Sequence, residues 1–243
     1  SDISIGSPET TGMDEGPEPN DVLEGLNDMA TTFMGLWAER AASDPAGRND
    51  LITMLAHGET TKDMVERPLE FLGNIMLLIV GGNDTTRNSI SGGVLGLNQF
   101  PEEYDKLRRN RDLIPNMVSE IVRWQTPVLH MRRTLNRDLE FSGKSMKAGD
   151  KVVMWYISGN RDDSVHEDTD RLIIDRENAR HHVAFGFGVH RCMGNRLAEM
   201  QLRIVWEEAL KRFCDIRIVE PPTRLCHHFV RGFSRMPVQV TRY

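Results

Sequence analysis

Apolar residues return every three or four positions through Val22, Leu26, Met29, Phe33 and the Leu36–Trp37 pair, which predicts a helix with one buried stripe. Asn20 or Asp21 is placed to cap it, and Asp44-Pro45 stops it. "NDLITMLAHGE" repeats the pattern on a smaller scale. The longest helical run goes from Pro68 to Phe100. Pro68 suits a first turn, and Pro101 marks the end. "EEYDKLRRNRDLIPNMVSEIVRWQTP" predicts two further helices broken near Pro115. The period then changes: "RRTLNRDLEFSGKSMKAGDKVVMWYI" holds short strand-like runs split by Ser142-Gly143 and Ala148-Gly149-Asp150. A loop-rich stretch leads to a helix from about Met193 to Phe213, and the tail "HHFVRGFSRMPVQVTRY" predicts a strand, a turn at Gly232 and a second strand. The expected fold class is mainly α with a minor β-sheet.

Residues 1–20, rich in Ser, Gly, Pro and acid, are expected to be a loop or disordered lead-in, with residues 21–243 forming a single domain. The chain has 243 residues and a net charge of −6, so no domain-wide positive field attracts nucleic acid. No Lys or Arg precedes Arg40, so no secretory signal of the usual kind is expected in these residues, and "IMLLIV" is too short to span a bilayer. Cys192, Cys214 and Cys226 form no C-x-x-C pair, a usage that points to a reducing, cytoplasmic setting.

Candidate chemistry gathers in three places. In "AFGFGVHRCMGNRLAEM", Cys192 stands at a helix entrance beside His190 and Arg191. Unpaired N–H groups, the helix dipole and the basic neighbours all favour thiolate, the form that ligates metals. Gly186, Gly188 and Gly194 let a flat partner approach the backbone, and Phe185 can shield the sulfur. The competing reading is a glycine-rich turn around a structural cysteine. In "LLIVGGNDTTRNSISGG", Gly81, Gly82, Asp84, Thr85 and Thr86 spoil a helix interior. They mark either a local widening at a functional site or a helix end at Gly81 followed by a new helix capped by Asp84. In "SEIVRW", Glu120 and Arg123 can pair on a helix face.

"FGFGVHRCMG" fits F-x-x-G-x-x-x-C-x-G, and with it the chain resembles the cytochrome P450 family. The resemblance implies the C-terminal portion of that fold and haem b, with Cys192 as the iron's thiolate ligand. His190 and Arg133 then stand near the haem propionates, with Phe185, Gly186 and Gly194 shaping the loop. "GGNDTT" matches the signature of the long helix over the distal face of the haem, which makes Asp84 and Thr85 an acid–alcohol pair for proton delivery. Gly81 and Gly82 leave room for O2 and substrate. Glu120 and Arg123 become a buried structural pair joined by an arginine, Arg171 in "DTDRL", with Arg176 as its competitor.

By the same resemblance, Leu78, Ile79, Val128, Leu129, Met131, Phe229, Val230 and Phe233 line an apolar substrate pocket. The implied activity is a haem-thiolate monooxygenase, closest in texture to the bacterial branch that hydroxylates the terminal carbon of medium-chain alkanes or fatty acids. Terpenoid-like or steroid-like substrates are the alternative within the family. Its electrons come from a 2Fe–2S ferredoxin and a flavin-dependent reductase. Arg191, Arg196 and the Lys106–Arg111 cluster are candidates to face that acidic partner. Two further alternatives are a haem-binding module without catalysis and a zinc protein using His181, His182, His190 and Cys192. The resemblance runs from about Asn20 to the end and covers only the later part of the family's fold.

Overall fold

The computed structural model describes residues 19–243, so nearly all of the expected lead-in lies outside the described residues. Two compact units divide between Asn83 and Asp84, and each has its own core.

The first unit contains α1 (Pro19–Ala41), α2 (Leu51–His57), a 3-10 turn at Met64–Glu66 and the start of α3 (Pro68–Gln99). Asp50 caps α2: its carboxylate accepts from the Thr53 N–H at 2.9 Å and the Thr53 hydroxyl at 2.7 Å. That satisfies an N–H which the helix itself leaves unpaired. Trp37 and Phe71 meet edge to face at 5.4 Å and close a core with Ala56, Met64 and Ile75.

The second unit, from Asp84 on, is built around α5 (Ile114–Gln125), of which every residue outside the first turn's Pro115–Asn116 is buried. Met117, Ile121, Leu172, Ile174, Leu202 and Trp206 form its centre. A Cβ on Gly93 of α3 would lie 2.7 Å from Ile121 and 2.8 Å from Trp206, so a bare backbone lets α3 approach α5 and α7 (Asn195–Arg212). α4 (Pro101–Arg109) and a 3-10 turn at Arg111–Leu113 precede α5.

Among the described residues, the β component is four two-stranded antiparallel sheets. β1 (His130–Thr134) pairs with β4 (Lys151–Trp155), His130 opposite Trp155. β2 (Leu139–Phe141) and β3 (Lys144–Met146) form a hairpin whose turn residues Ser142 and Gly143 both have positive φ. A short helix, α6 (Tyr156–Gly159), follows β4. β5 (Phe213–Ile218) pairs with β8 (Val238–Arg242), and β6 (Thr223–Arg224) with β7 (Phe233–Arg235).

Four expectations are met or corrected. α3 runs unbroken through Gly81 and Gly82, so the reading with a helix end at Gly81 falls. The two helices expected with a break near Pro115 are α4 and α5; Pro115 lies in the first turn of α5, where a proline sacrifices no hydrogen bond. The helix expected from about Met193 is α7, which begins at Asn195 with Gly194 as N-cap, and Cys192 stands before it as expected. In the tail, Val230 makes only an isolated bridge before Gly232, and both strands follow it. No described helix is long and apolar enough to cross a membrane.

Candidate functional site

The deepest polar feature of the second unit lies on α5. Glu120 and Arg123 are both fully buried, and two parallel bonds at 2.7 and 2.8 Å join them. Burying charge is costly unless every donor and acceptor is used, and here they are. The Arg176 guanidinium donates to both Glu120 oxygens at 3.1 Å, and the Ile173 N–H adds a bond at 3.0 Å. The remaining Arg123 donors go to the carbonyls of Asn160, Thr169 and Arg171. Arg171 was the expected third member, but it gives only this carbonyl; its side chain is half exposed and pairs with Glu102. Arg176 is the third charge, since a side chain 7% exposed can reach a buried carboxylate without crossing solvent.

Asn160 carries this network to the cysteine loop. Arg123 holds its carbonyl at 2.7 Å, its amide donates to the Thr126 hydroxyl at 2.9 Å, and its side-chain oxygen accepts from the Val183 N–H at 2.7 Å. Val183 then accepts from the Gly186 N–H at 2.8 Å, and the Cys192 N–H donates back to the Phe185 carbonyl at 2.8 Å. Gly186 and Gly188 sit at φ +69° and +75°, where a side chain is strained. The loop is thus a hydrogen-bonded arch with Cys192 at its exposed end.

The Cys192 thiol is free and exposed. Large apolar side chains are left bare on the same loop: Phe187 at 87% exposure, Val189 at 96% and Met193 at 79%. His190 and Arg191 are also exposed. Arg133 lies half-buried on β1, opposite Val152 of β4. Under the loop, His182 packs on Phe185 with ring centroids 5.2 Å apart. Burial and the positive charges of Arg191 and Arg123 pull its pKa down to about 4, so it is neutral at pH 7. Among the described residues, no group of three or more His, Cys, Asp or Glu is arranged to hold a metal ion.

On α3, a Cβ at Gly81 or Gly82 would meet nothing within 4 Å. Asp84 is 4% exposed, and Arg87 donates to it at 3.0 Å. Because the Arg87 side chain is 47% exposed, the pair connects a buried carboxylate to solvent. Sequence reasoning missed Arg87; the i, i+3 spacing to Asp84 was the available signal. Thr85 is half-buried, and its carbonyl accepts from Ser89 at 2.8 Å.

Four expected pocket residues meet where the tail turn crosses the segment after α5. Val128 bridges to Val230, and the Leu129 N–H donates to the Phe229 carbonyl at 2.9 Å. Met131 stands opposite Met154 across β1 and β4, and Phe233 starts β7. Leu78 and Ile79 belong to the first unit, where Ile79 packs against the Trp37 cluster. The expected basic face is partly consumed internally. Lys106 pairs with Asp175 and Glu103, Arg108 with Asp105 and Asp215, and Arg111 donates to Tyr243. Arg196 remains 83% exposed.

Residues 31–238 match the family model described as Cytochrome P450. The chain is 41% identical over 226 residues to linalool 8-monooxygenase of Pseudomonas putida, covering 93% of this chain and 55% of that protein. It is 38% identical over 224 residues to the methyl-branched lipid omega-hydroxylase of Mycobacterium tuberculosis, covering 87% and 52%. Among solved structures, a cytochrome P450-153 from Novosphingobium aromaticivorans superposes with a TM-score of 0.83 at 46% identity, covering 91% of this chain and 54% of that one. The chain therefore spans about half the length of the relatives it matches. A motif read from ten residues and a fold shared across most of the chain agree, and this chain belongs to the cytochrome P450 family.

Proposed function

We propose that the chain is the haem-holding part of a monooxygenase acting on apolar substrates. In that reaction one oxygen atom of O2 enters a C–H bond, the other leaves as water, and two electrons and two protons are consumed. The observation that carries the reading is the free, exposed Cys192 thiol on an arch whose neighbouring apolar side chains stand bare. A large flat apolar group with an iron at its centre fits that surface, and folded proteins rarely leave such a patch uncovered. When bound, haem supplies O2 activation, with thiolate donation favouring O–O cleavage.

The chain's own residues have separable roles in this reading. Cys192 gives the thiolate ligand, Phe185 and Gly186 shape the arch over it, and Gly194 opens the helix behind it. His190 and Arg133 bind the propionates by charge-assisted bonds. Asp84 takes protons from solvent by way of the Arg87 side, and the Thr85 hydroxyl passes them on. Val128, Leu129, Met131, Phe229 and Val230 exclude water and hold the substrate by burial.

The substrate we assign is a medium-chain alkane or fatty acid hydroxylated at its terminal carbon. Similarity to a methyl-branched lipid omega-hydroxylase supports the terminal position. Similarity to linalool 8-monooxygenase favours a second reading with a terpenoid substrate. A 2Fe–2S ferredoxin with its flavin-dependent reductase is the proposed electron source, docking beside exposed Arg191 and Arg196.

The carbon monoxide spectrum of the reduced, haem-loaded protein tests the core of the proposal, with Cys192→Ser as its control. A red-shifted Soret band lost in the variant establishes thiolate ligation. A band at the histidine-ligated position in both proteins refutes it.

A further inference from the structure

We propose that Asn88 is a positioning residue for substrate selection: its amide interlocks with Gly232 and sets where the Phe229–Val230 turn stands relative to Asp84 and Thr85. The proposal rests on the monooxygenase reading and names a specificity determinant for it.

Asn88 lies one turn beyond Asp84 and Thr85 on α3 and is 2% exposed. A Cβ on Gly232 would fall 2.5 Å from its Oδ1 and 2.7 Å from its Cγ and Nδ2. The amide thus fills the place of a side chain on the tail turn, and its Oδ1 also accepts from the Phe233 N–H at 3.4 Å. Gln125, at the end of α5, makes the matching contact on the other side. Its Cγ lies 2.6 Å from where a Gly92 Cβ would stand, and its Nε2 donates to the Arg231 carbonyl at 2.8 Å.

Arg231 completes the junction. Its N–H donates to the Pro127 carbonyl at 2.9 Å, and its guanidinium donates to the carbonyls of Trp124 and Gln125 at 2.8 and 3.0 Å. These bonds, with the Val128–Val230 bridge and the Leu129–Phe229 bond, weld residues 127–129 and 229–233 into one plate. The plate carries four of the proposed pocket residues. Gln125 and Arg231 tie it to α5, and Asn88 ties it to the helix that carries the proton-handling pair.

Packing alone does not call for amides here. A buried amide is costly when its hydrogen bonds are incomplete, and Asn88 Nδ2 and Gln125 Oε1 have no partner among the described residues. What an amide adds over an aliphatic side chain is a planar edge that fits a bare glycine at one orientation only. A plate shifted relative to Asp84 and Thr85 presents a different carbon of the substrate for reaction, and reactivity is steep in such displacements.

The test compares Asn88→Ala, Gly232→Ala and the double variant, each haem-loaded and supplied with a surrogate ferredoxin and reductase, using n-octane as probe. Two readouts are taken: the ratio of 1-octanol to 2-octanol, and the octane dissociation constant from the Soret shift. Each single variant should move the product ratio about tenfold while the carbon monoxide band stays unchanged. The double variant should return toward the parent, because the methyl added by Gly232→Ala fills the space the amide leaves. Single variants that lower stability but keep the parental ratio and octane affinity overturn the proposal, as does a double variant that is merely additive. If Asn88→Ala fails to fold, Asn88→Ser takes its place with the same readouts. Octane that binds without yielding octanol refutes the monooxygenase reading, and the dissociation constants still decide the role of Asn88. Octanol formed at one ratio by every variant refutes the role of Asn88 and leaves the reaction standing. Octane that neither binds nor reacts overturns the alkane assignment; the same variants are then read with linalool, and an unchanged product ratio and affinity there overturn the role of Asn88.

Discussion

Arg171 and Arg176 stand five residues apart and differ in consequence because one is exposed and the other is buried against a carboxylate. Removing Arg176 leaves Glu120 with an uncompensated share of buried charge, so Arg176→Ala should cost about 3–5 kcal/mol. Arg171→Ala removes a solvent-screened pair with Glu102 and should cost less than about 1 kcal/mol, since the carbonyl that serves Arg123 is backbone and survives. Urea unfolding of both variants at neutral pH reads the difference directly. Equal losses would mean that Arg176 is dispensable to the network. Sequence could not rank the two arginines, because spacing along a loop says nothing about which side chain turns inward.

At the scale of elements, α3 offers a contrast between two kinds of glycine. Gly73 has open space at its Cβ position, so Gly73→Ala should stabilise by up to about 1 kcal/mol through helix propensity alone. Gly93→Ala gains the same propensity but drives a methyl into Ile121 and Trp206, and should destabilise by about 1–3 kcal/mol. Thermal midpoints of the two variants should move in opposite directions; a shift of the same sign would mean the helices yield at that contact. The long helices were legible in the sequence because a repeating apolar stripe leaves a period. The cysteine loop was legible because glycine, cysteine and basic residues keep a strict spacing. β5 was not, since it follows α7 with no turn between, and β6 and β7 are too short to alternate. Asn160 was invisible for a related reason: its importance comes from partners at Arg123, Thr126 and Val183, none of them its sequence neighbours. Asn160→Ala should loosen the loop between α6 and Cys192 first, seen as faster amide exchange over residues 183–192 than at α5. Uniform loss of protection would refute the local role.

For the molecule as a whole, two histidines whose charged forms the fold disfavours should give the first response to acid. His182 is held down to about pKa 4, and burial with the charges of Arg123 and Arg176 also lowers His166. Their unfolded values lie near 6.5, so between pH 6.5 and 4 the unfolded chain takes up protons that the folded chain refuses. Stability is therefore complete above about pH 6.5 and falls as the pH drops through that window, by roughly 1–3 kcal/mol for His182. Carboxylates paired in the fold, such as Asp175 with Lys106, also have lowered values, and their contribution is lost only on more acid titration. The urea midpoint should thus decline on going from pH 7.5 to 5, and His182→Phe, which keeps a ring against Phe185, should flatten much of that decline. An undiminished slope in the variant would place the acid sensitivity elsewhere. The arch that presents Cys192 rests on this same ring, so the pH at which the fold weakens is set beside the loop on which its proposed chemistry depends.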